Sequence, residues 1–255
     1  MSIDRPVSEQ ARRKLILAAI RLFANHGVES VSLRMINREA GSRNNSALHY
    51  HFGSKLGLIE AVDDFIQTHF DKVREDQLCA LERRAACETI TVREAMDVLV
   101  QAYVDIIEGY DWGYDAVRTL ARMEFDGIPE VIALLGKSAG HSANRFARLK
   151  RPLLPELKPR QFKMRYNFVV NATIQGFADY RNLHQSYLGD LSVKNLDELA
   201  AFYAQAGTAV LTAPPGNCRH SAAPTTPFRN RICIGRRQAA AFRQTYASRS
   251  GYIWR

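Results

Sequence analysis

Residues 30–55 read SVSLRMINREAGSRNNSALHYHFGSK. Ser32 is a good helix N-cap, and Leu33, Ile36 and Ala40 follow at i, i+3 and i+7, the spacing of one apolar helix face. Arg34 and Arg38 point away from that face. Gly41 comes next, able to close a helix in the left-handed conformation without a Cβ clash. Gly41-Ser42-Arg43-Asn44 is rich in residues that bond their own backbone, which predicts a turn. In the helix that resumes, steps of about 100° per residue put Leu48 and Phe52 on one side and Asn45, Ser46, His49 and Tyr50 on the other. Two short helices joined by a Gly-containing turn form a helix-turn-helix, whose second helix enters the major groove of double-stranded DNA.

The outward set suits that groove. Asn pairs bidentately with adenine, Ser reaches a base edge or a phosphate, and an aromatic ring meets a thymine methyl. Asn45, Ser46, His49 and Tyr50 are therefore the candidates for base contact. Arg34, Arg43, Asn44 and Lys55 are the candidates for the phosphate backbone, Lys55 standing just past Gly53-Ser54 where the next helix opens. His51 lies nearer the Leu48/Phe52 side and is expected to be packed rather than reading.

Upstream, Leu15, Ala19, Leu22 and Phe23 make one stripe of an amphipathic helix that begins near Ser8 and stops at Gly27, with Arg12, Arg13 and Arg21 off the stripe. Downstream, Leu56, Ile59, Val62, Phe65, Ile66 and Phe70 mark a long helix from about Lys55 to Arg84. Helical spacing continues over Val92–Tyr110, Asp115–Phe125, Pro129–Leu135 and Ser138–Leu149, and no segment up to about 212 reads as a strand. The chain is expected to be all-α. Two later stripes follow. One is Phe162, Tyr166, Val169, Thr173, Gly176, Tyr180 and Leu183; the other is Leu196, Leu199, Tyr203, Ala206 and Val210, with Asn195 and Glu198 spaced as a reciprocal cap.

From about Arg12 to Val62 the chain resembles the DNA-binding domain of the TetR family of bacterial transcriptional regulators. The matching residues are the ILAAIRLFANHGVESVSL entry (Ile16 to Leu33), the Ala40-Gly41 turn and the LHYHFGSK exit (Leu48 to Lys55). The departure is one extra residue between Ala40-Gly41 and Leu48. The resemblance implies two parts, a DNA-binding domain over 8–55 and a helical ligand-binding and dimerisation domain over 56–212; the sharp change of composition beyond Ala213 predicts a third, a basic, disordered tail over 213–255 that the family does not normally carry. It implies a homodimer paired through the last two long helices, which agrees with the need for a second reading head on a palindromic operator. It also implies an unknown small-molecule effector held between helices; Tyr103, Trp112, Tyr114, Met123, Phe125 and Phe168 are the candidate lining residues. A ligand-responsive repressor is the expected function.

Charge distribution refines this reading. The net charge is +9, but residues 1–60 carry +4, residues 61–212 carry −3, and residues 213–255 carry eight Arg with no Lys, Asp or Glu. The high pI thus comes mainly from the tail, and the alternative function is non-specific nucleic-acid binding through those arginines. No apolar run approaches the roughly 20 residues of a membrane span, and MSIDRPVSEQARRK has no signal-peptide core, so a cytoplasmic protein is expected. Cys79, Cys87, Cys218 and Cys233 lack C-x-x-C spacing, and His49 and His51 are two apart rather than the four of a helical metal pair. With no phosphate-binding Gly loop, no G-x-S-x-G and no H-E-x-x-H, neither an enzyme nor a cofactor or metal is expected.

Overall fold

Local chemistry sets the element boundaries in the computed structural model, which describes residues 4–41, 46–138 and 140–214. Among these the regular structure is helical: α1 Asp4–His26, α2 Leu33–Glu39, α3 Ser46–Phe52, α4 Lys55–Cys87, α5 Val92–Gly109, α6 Gly113–Phe125, α7 Pro129–Ser138, α8 Gly140–Lys150, α9 Pro159–Asp179 and α10 Leu196–Thr212. Short 3-10 turns follow α8 at Arg151–Leu153 and α9 at Tyr180–Gln185. Hydroxyl caps start several helices. Ser32, Ser54 and Thr91 each accept a backbone N–H from the first turn, and Glu94 returns the bond to the Thr91 N–H at 2.8 Å. Gly41 holds φ +66°, the left-handed geometry expected after α2. At α10 the reciprocal cap is displaced by one residue. Asn195 accepts from Glu198 N at 2.9 Å, but the Glu198 carboxylate bonds Lys194 N, not Asn195 N.

One continuous core joins the first helices to the rest. Leu15, Ile16, Ile20 and Phe23 of α1 are buried with Ile36, Leu48, Leu58 and Val62, and the same cluster runs through Met96, Tyr103, Val117 and Phe177. The 33-residue α4, roughly 50 Å long at helical rise, leaves this group at one end and reaches α8 at the other. There Arg145 clamps it, donating to both Glu82 oxygens at 3.0 and 2.8 Å and to Glu75 at 2.6 Å. This guanidinium pairing holds the Glu82 carboxyl below its ordinary range.

The two late apolar stripes point mainly inward. Phe162, Val169 and Thr173 of α9 and Leu196 and Leu199 of α10 are buried in the subunit's own core, with Tyr166, Tyr180, Leu183, Tyr203 and Val210 packed against it. The Tyr203 ring of α10 packs directly over Gly176, where an added Cβ would lie 1.9 Å from its hydroxyl oxygen, so alanine there would displace the ring. Apolar side chains left outside are on other faces of the same helices: Met164, Phe168 and Phe202 are exposed. Arg165 closes the end of α10 by donating to Leu211 O and Pro214 O at 3.1 and 3.0 Å, a cation at the negative helix terminus. The tail expected beyond residue 213 lies, from residue 215 on, outside the described residues.

Candidate nucleic-acid interface and cavity

Leu48 anchors α3 from behind at 1% exposure, and Phe52 is half-buried with the Arg12 guanidinium 5.4 Å from its ring centre. That fixes which residues face outward. His49 and Tyr50 are exposed, Tyr50 at 82%. His49 Nδ1 lies 3.1 Å from the Gly53 carbonyl oxygen, which can only accept; neutral His49 thus carries its proton on Nδ1 and offers Nε2 as an acceptor. An acceptor on this face can take an N–H from adenine or cytosine. His51 is half-buried, 5.1 and 5.9 Å from the ring centres of Tyr50 and Phe52, in agreement with a packed role.

Among the backbone candidates Arg34 is exposed on α2. Lys55 is engaged already: its ammonium donates to Glu29 O at 2.9 Å, tying the start of α4 to the loop before α2. Partial burial lowers its pKa and the Glu29 carboxylate opposes that shift. Ser46 opens α3, while Arg43, Asn44 and Asn45 lie outside the described residues.

The middle of α6 and the residue just past it hold this head. Thr119 Oγ1 donates to Ile20 O at 2.9 Å, Arg118 donates to Asn25 Oδ1 at 3.0 Å, and Val28 N donates to Asp126 Oδ2 at 3.0 Å. Asp126 therefore pins the residue that follows the turn out of α1. Asp126→Ala leaves the Val28 N–H without its acceptor, and the expected destabilisation is about 1–2 kcal/mol by urea unfolding. A midpoint equal to wild type would show that the bond contributes nothing.

A cavity of about 760 Å³ lies among α6, α8 and α9. Ala147, Phe162, Tyr166 and Val170 give it apolar wall, Arg148, Arg151 and Lys163 bring three cations, and Glu124 is the one acid among its lining residues. Glu124 Oε2 is enclosed with no hydrogen-bond partner. Burial, and after it repulsion from Asp63, pushes this carboxyl up to about 7. Lys150 is completely buried nearby, its Nζ without a hydrogen-bond partner and 4.9 Å from the ring centres of both Phe146 and Tyr166. Burial, and then the Arg74 charge, pulls its ammonium down to about 7. Arg74 is buried too, 4.9 Å from the Phe70 ring centre and 5.9 Å from that of Phe146.

None of the six residues expected to line a ligand site lines this cavity. Tyr103 and Met123 are core residues, Tyr103 stacked on Phe177 at 5.3 Å. Tyr114 donates to Ala178 O at 3.0 Å under the Arg181 guanidinium. Phe125 and Phe168 are exposed at 55% and 61%. Trp112 lines a second cavity of about 440 Å³ beside α1, with Arg13, Arg21, Tyr110, Asp111 and Asp115. The aromatic residues that do line it are Phe162 and Tyr166. On α6 the lining residue is Glu124, between the two expected positions Met123 and Phe125. On α9 Phe162, Tyr166 and Val170 line it at i, i+4 and i+8; the first two belong to the late apolar stripe, and Val170 stands next to that stripe's Val169.

A helix-turn-helix with an exposed reading face, fastened to a helical body that carries a cavity of small-molecule size, defines a DNA-binding regulator. Residues 15–62 match the family described as bacterial regulatory proteins, tetR family, and residues 97–206 match the tetracyclin repressor-like C-terminal domain. The chain belongs to the TetR family. Such proteins are ligand-responsive DNA-binding transcriptional regulators, and their role is regulatory rather than enzymatic. Among solved structures, the fatty acid degradation regulator FadR from Bacillus halodurans shares the fold at 15% identity, with 82% of this chain and 97% of that one aligned and a TM-score of 0.53. A putative tetR family transcription regulator from Shewanella sp. PV-4 aligns over 79% and 95% of the two chains at 16% identity, with a TM-score of 0.50. No curated protein matches the sequence. Among the described residues no helix is long and apolar enough to cross a membrane, and no cluster of His, Cys, Asp and Glu is placed to hold a metal ion.

Proposed function

We propose that the protein is a cytoplasmic, homodimeric repressor whose two heads read the half-sites of a palindromic operator and which releases DNA when a small molecule fills the cavity among α6, α8 and α9. Residues 8–55 form the reading domain, 56–212 the ligand-binding and dimerisation domain, and 213–255 a basic tail. The observation that carries this reading is the two-sided α3, with Leu48 buried behind and His49 and Tyr50 exposed in front. Dimerisation draws support from the exposed Met164, Phe168 and Phe202 on the last two long helices. The path of the response is short. Glu124 lines the cavity and Asp126, two residues on, bonds Val28 next to the head. A ligand that favours the conformation with the heads misplaced lowers operator affinity by its differential affinity for the two states.

Selecting bound fragments from random DNA at fixed salt supplies the operator. On it, His49→Ala with Tyr50→Ala is expected to weaken binding at least tenfold while the circular dichroism spectrum stays unchanged, since each specific base contact is worth about 1–3 kcal/mol. Undiminished affinity would remove the reading assigned to α3. Truncation after Thr212 is expected to preserve preference for the palindrome. Collapse of all binding would instead favour non-specific attraction by the eight tail arginines.

A further inference from the structure

We infer that the cavity among α6, α8 and α9 takes an amphipathic anion, a molecule with an apolar ring or chain and one acidic group such as a carboxylate. The inference deepens the reading of this cavity as the effector site and rests on it.

Charge around the cavity is one-sided. Arg148, Arg151 and Lys163 stand on its wall against Glu124 alone. Glu124 is a poor counter-ion, because enclosure of its Oε2 favours the protonated form, which can donate to a ligand's acceptor instead of opposing an anion. Arg151 has one nitrogen committed to Leu154 O at 2.7 Å, which steadies the guanidinium without neutralising it.

A second, independent observation comes from behind the wall. The Lys150 ammonium lies 4.9 Å from the centre of the Tyr166 ring, and Tyr166 is itself part of the cavity lining. Neither Lys150 Nζ nor Arg74 Nε has a hydrogen-bond partner, and the structure encloses both. Ring faces attract cations but do not restore the hydration those groups lose on burial. Arg74, with Asp71 acting on it from the same helix, and the protonated fraction of Lys150 add positive potential behind the Tyr166 side of the cavity, where enclosure makes charge act more strongly than in water. An acidic group entering the cavity meets that field favourably. An amine meets it, and the three wall cations, as repulsion.

The apolar half of the ligand follows from the remaining lining. Ala147, Phe162 and Val170 offer it hydrocarbon and ring surface. The volume of about 760 Å³ lies within the range of small-molecule sites.

The test uses the purified full-length protein, titrated calorimetrically with decanoate and naphthoate below any micelle concentration, and with decylamine and decanol as matched controls. Saturable binding by at least one carboxylate is expected, with decylamine and decanol weaker by about tenfold or more. Arg148→Glu and Lys163→Glu should each weaken the carboxylate by about tenfold. Val170→Trp should fill the cavity and abolish binding. Lys150→Met should weaken the carboxylate while raising the melting temperature of the free protein, a pairing that a purely structural lysine would not give. The inference is overturned if neither carboxylate binds, if decylamine binds as tightly, or if the charge reversals leave carboxylate affinity unchanged. Operator release is measured separately. Carboxylate binding that leaves operator affinity intact keeps the ligand class and removes the effector role. Operator release by decylamine alone keeps the effector role and overturns the ligand class.

Discussion

Lys150→Met is expected to stabilise the free protein at neutral pH by about 2–4 kcal/mol, because a buried charge without a partner is replaced by a well-packed apolar chain of similar length. The argument can be followed through the titration. In the unfolded chain this ammonium has its ordinary value of 10.5, and in the folded protein burial and Arg74 bring it to about 7. Between those two values the unfolded state holds one more proton than the folded state, so stability rises with pH across that window. Below about 7 both states are charged and the full penalty remains; above about 10.5 both are neutral and it is gone. The advantage of methionine is therefore largest at and below neutral pH and shrinks as the solution is made alkaline. Glu124 has the opposite slope. Its folded value of about 7 stands above the ordinary 4.5, the folded state holds the extra proton between them, and stability falls as pH rises through that window. Together these groups contribute a minimum near neutral pH. Urea unfolding across pH checks the account: Glu124→Gln should remove the acid-side fall and Lys150→Met the alkaline-side recovery. Parallel curves for wild type and both variants would refute it.

The same two residues mark where sequence legibility ends. Periodicity located the helices because each buries a face, and the ends were marked by residues with one dominant local use: Ser32 as a cap, Gly41 in its left-handed turn. The reading head was legible for a similar reason. Leu48 and Phe52 lie four apart on a short helix, so they define its back, and the polar and ring residues must take the front. The cavity belongs to another class of fact. Glu124 and Lys150 are charged, and composition places charged residues outside. What puts them inside is the meeting of α4, α5, α6, α8 and α9, whose separations in sequence no local pattern records. Aromatic content does not tell the two sides of a helix apart for the same physical reason. Phe168 and Phe125 carry as much apolar surface as Phe162, but their position on the helix turns them to the outside. The late stripes were found correctly as stripes, and burial directs them to the subunit's own core, leaving Met164, Phe168 and Phe202 as the surface open to a second copy.

Leu48→Ala should cost DNA recognition more than any change of a groove-facing residue. The helix it anchors has seven residues, far shorter than the roughly 12–15 at which isolated helices become even marginal in water, so α3 owes its form to docking. Among the described residues of α3, Leu48 at 1% exposure is the fully buried one, with Phe52 and His51 half-buried beside it. Removing buried leucine atoms costs about 3–5 kcal/mol, of which the cavity left behind is part. That loss falls on an element with no stability of its own, so α3 in the variant is expected to spend much of its time undocked. Apparent affinity scales with the fraction of heads that are competent, and in a dimer both heads bear the loss, so operator binding should fall by about a hundredfold or more. Meanwhile α4 to α10 keep their own contacts. Hydrogen exchange should therefore rise steeply at the amides of residues 46–53 and hardly change across α5, α9 and α10, and the cavity should bind its ligand as before. Wild-type exchange at α3 together with wild-type operator affinity would mean that the reading helix is held by something other than its leucine. A uniform rise in exchange through α10 would mean that head and body unfold as one unit through the shared α1, α4 and α6 packing.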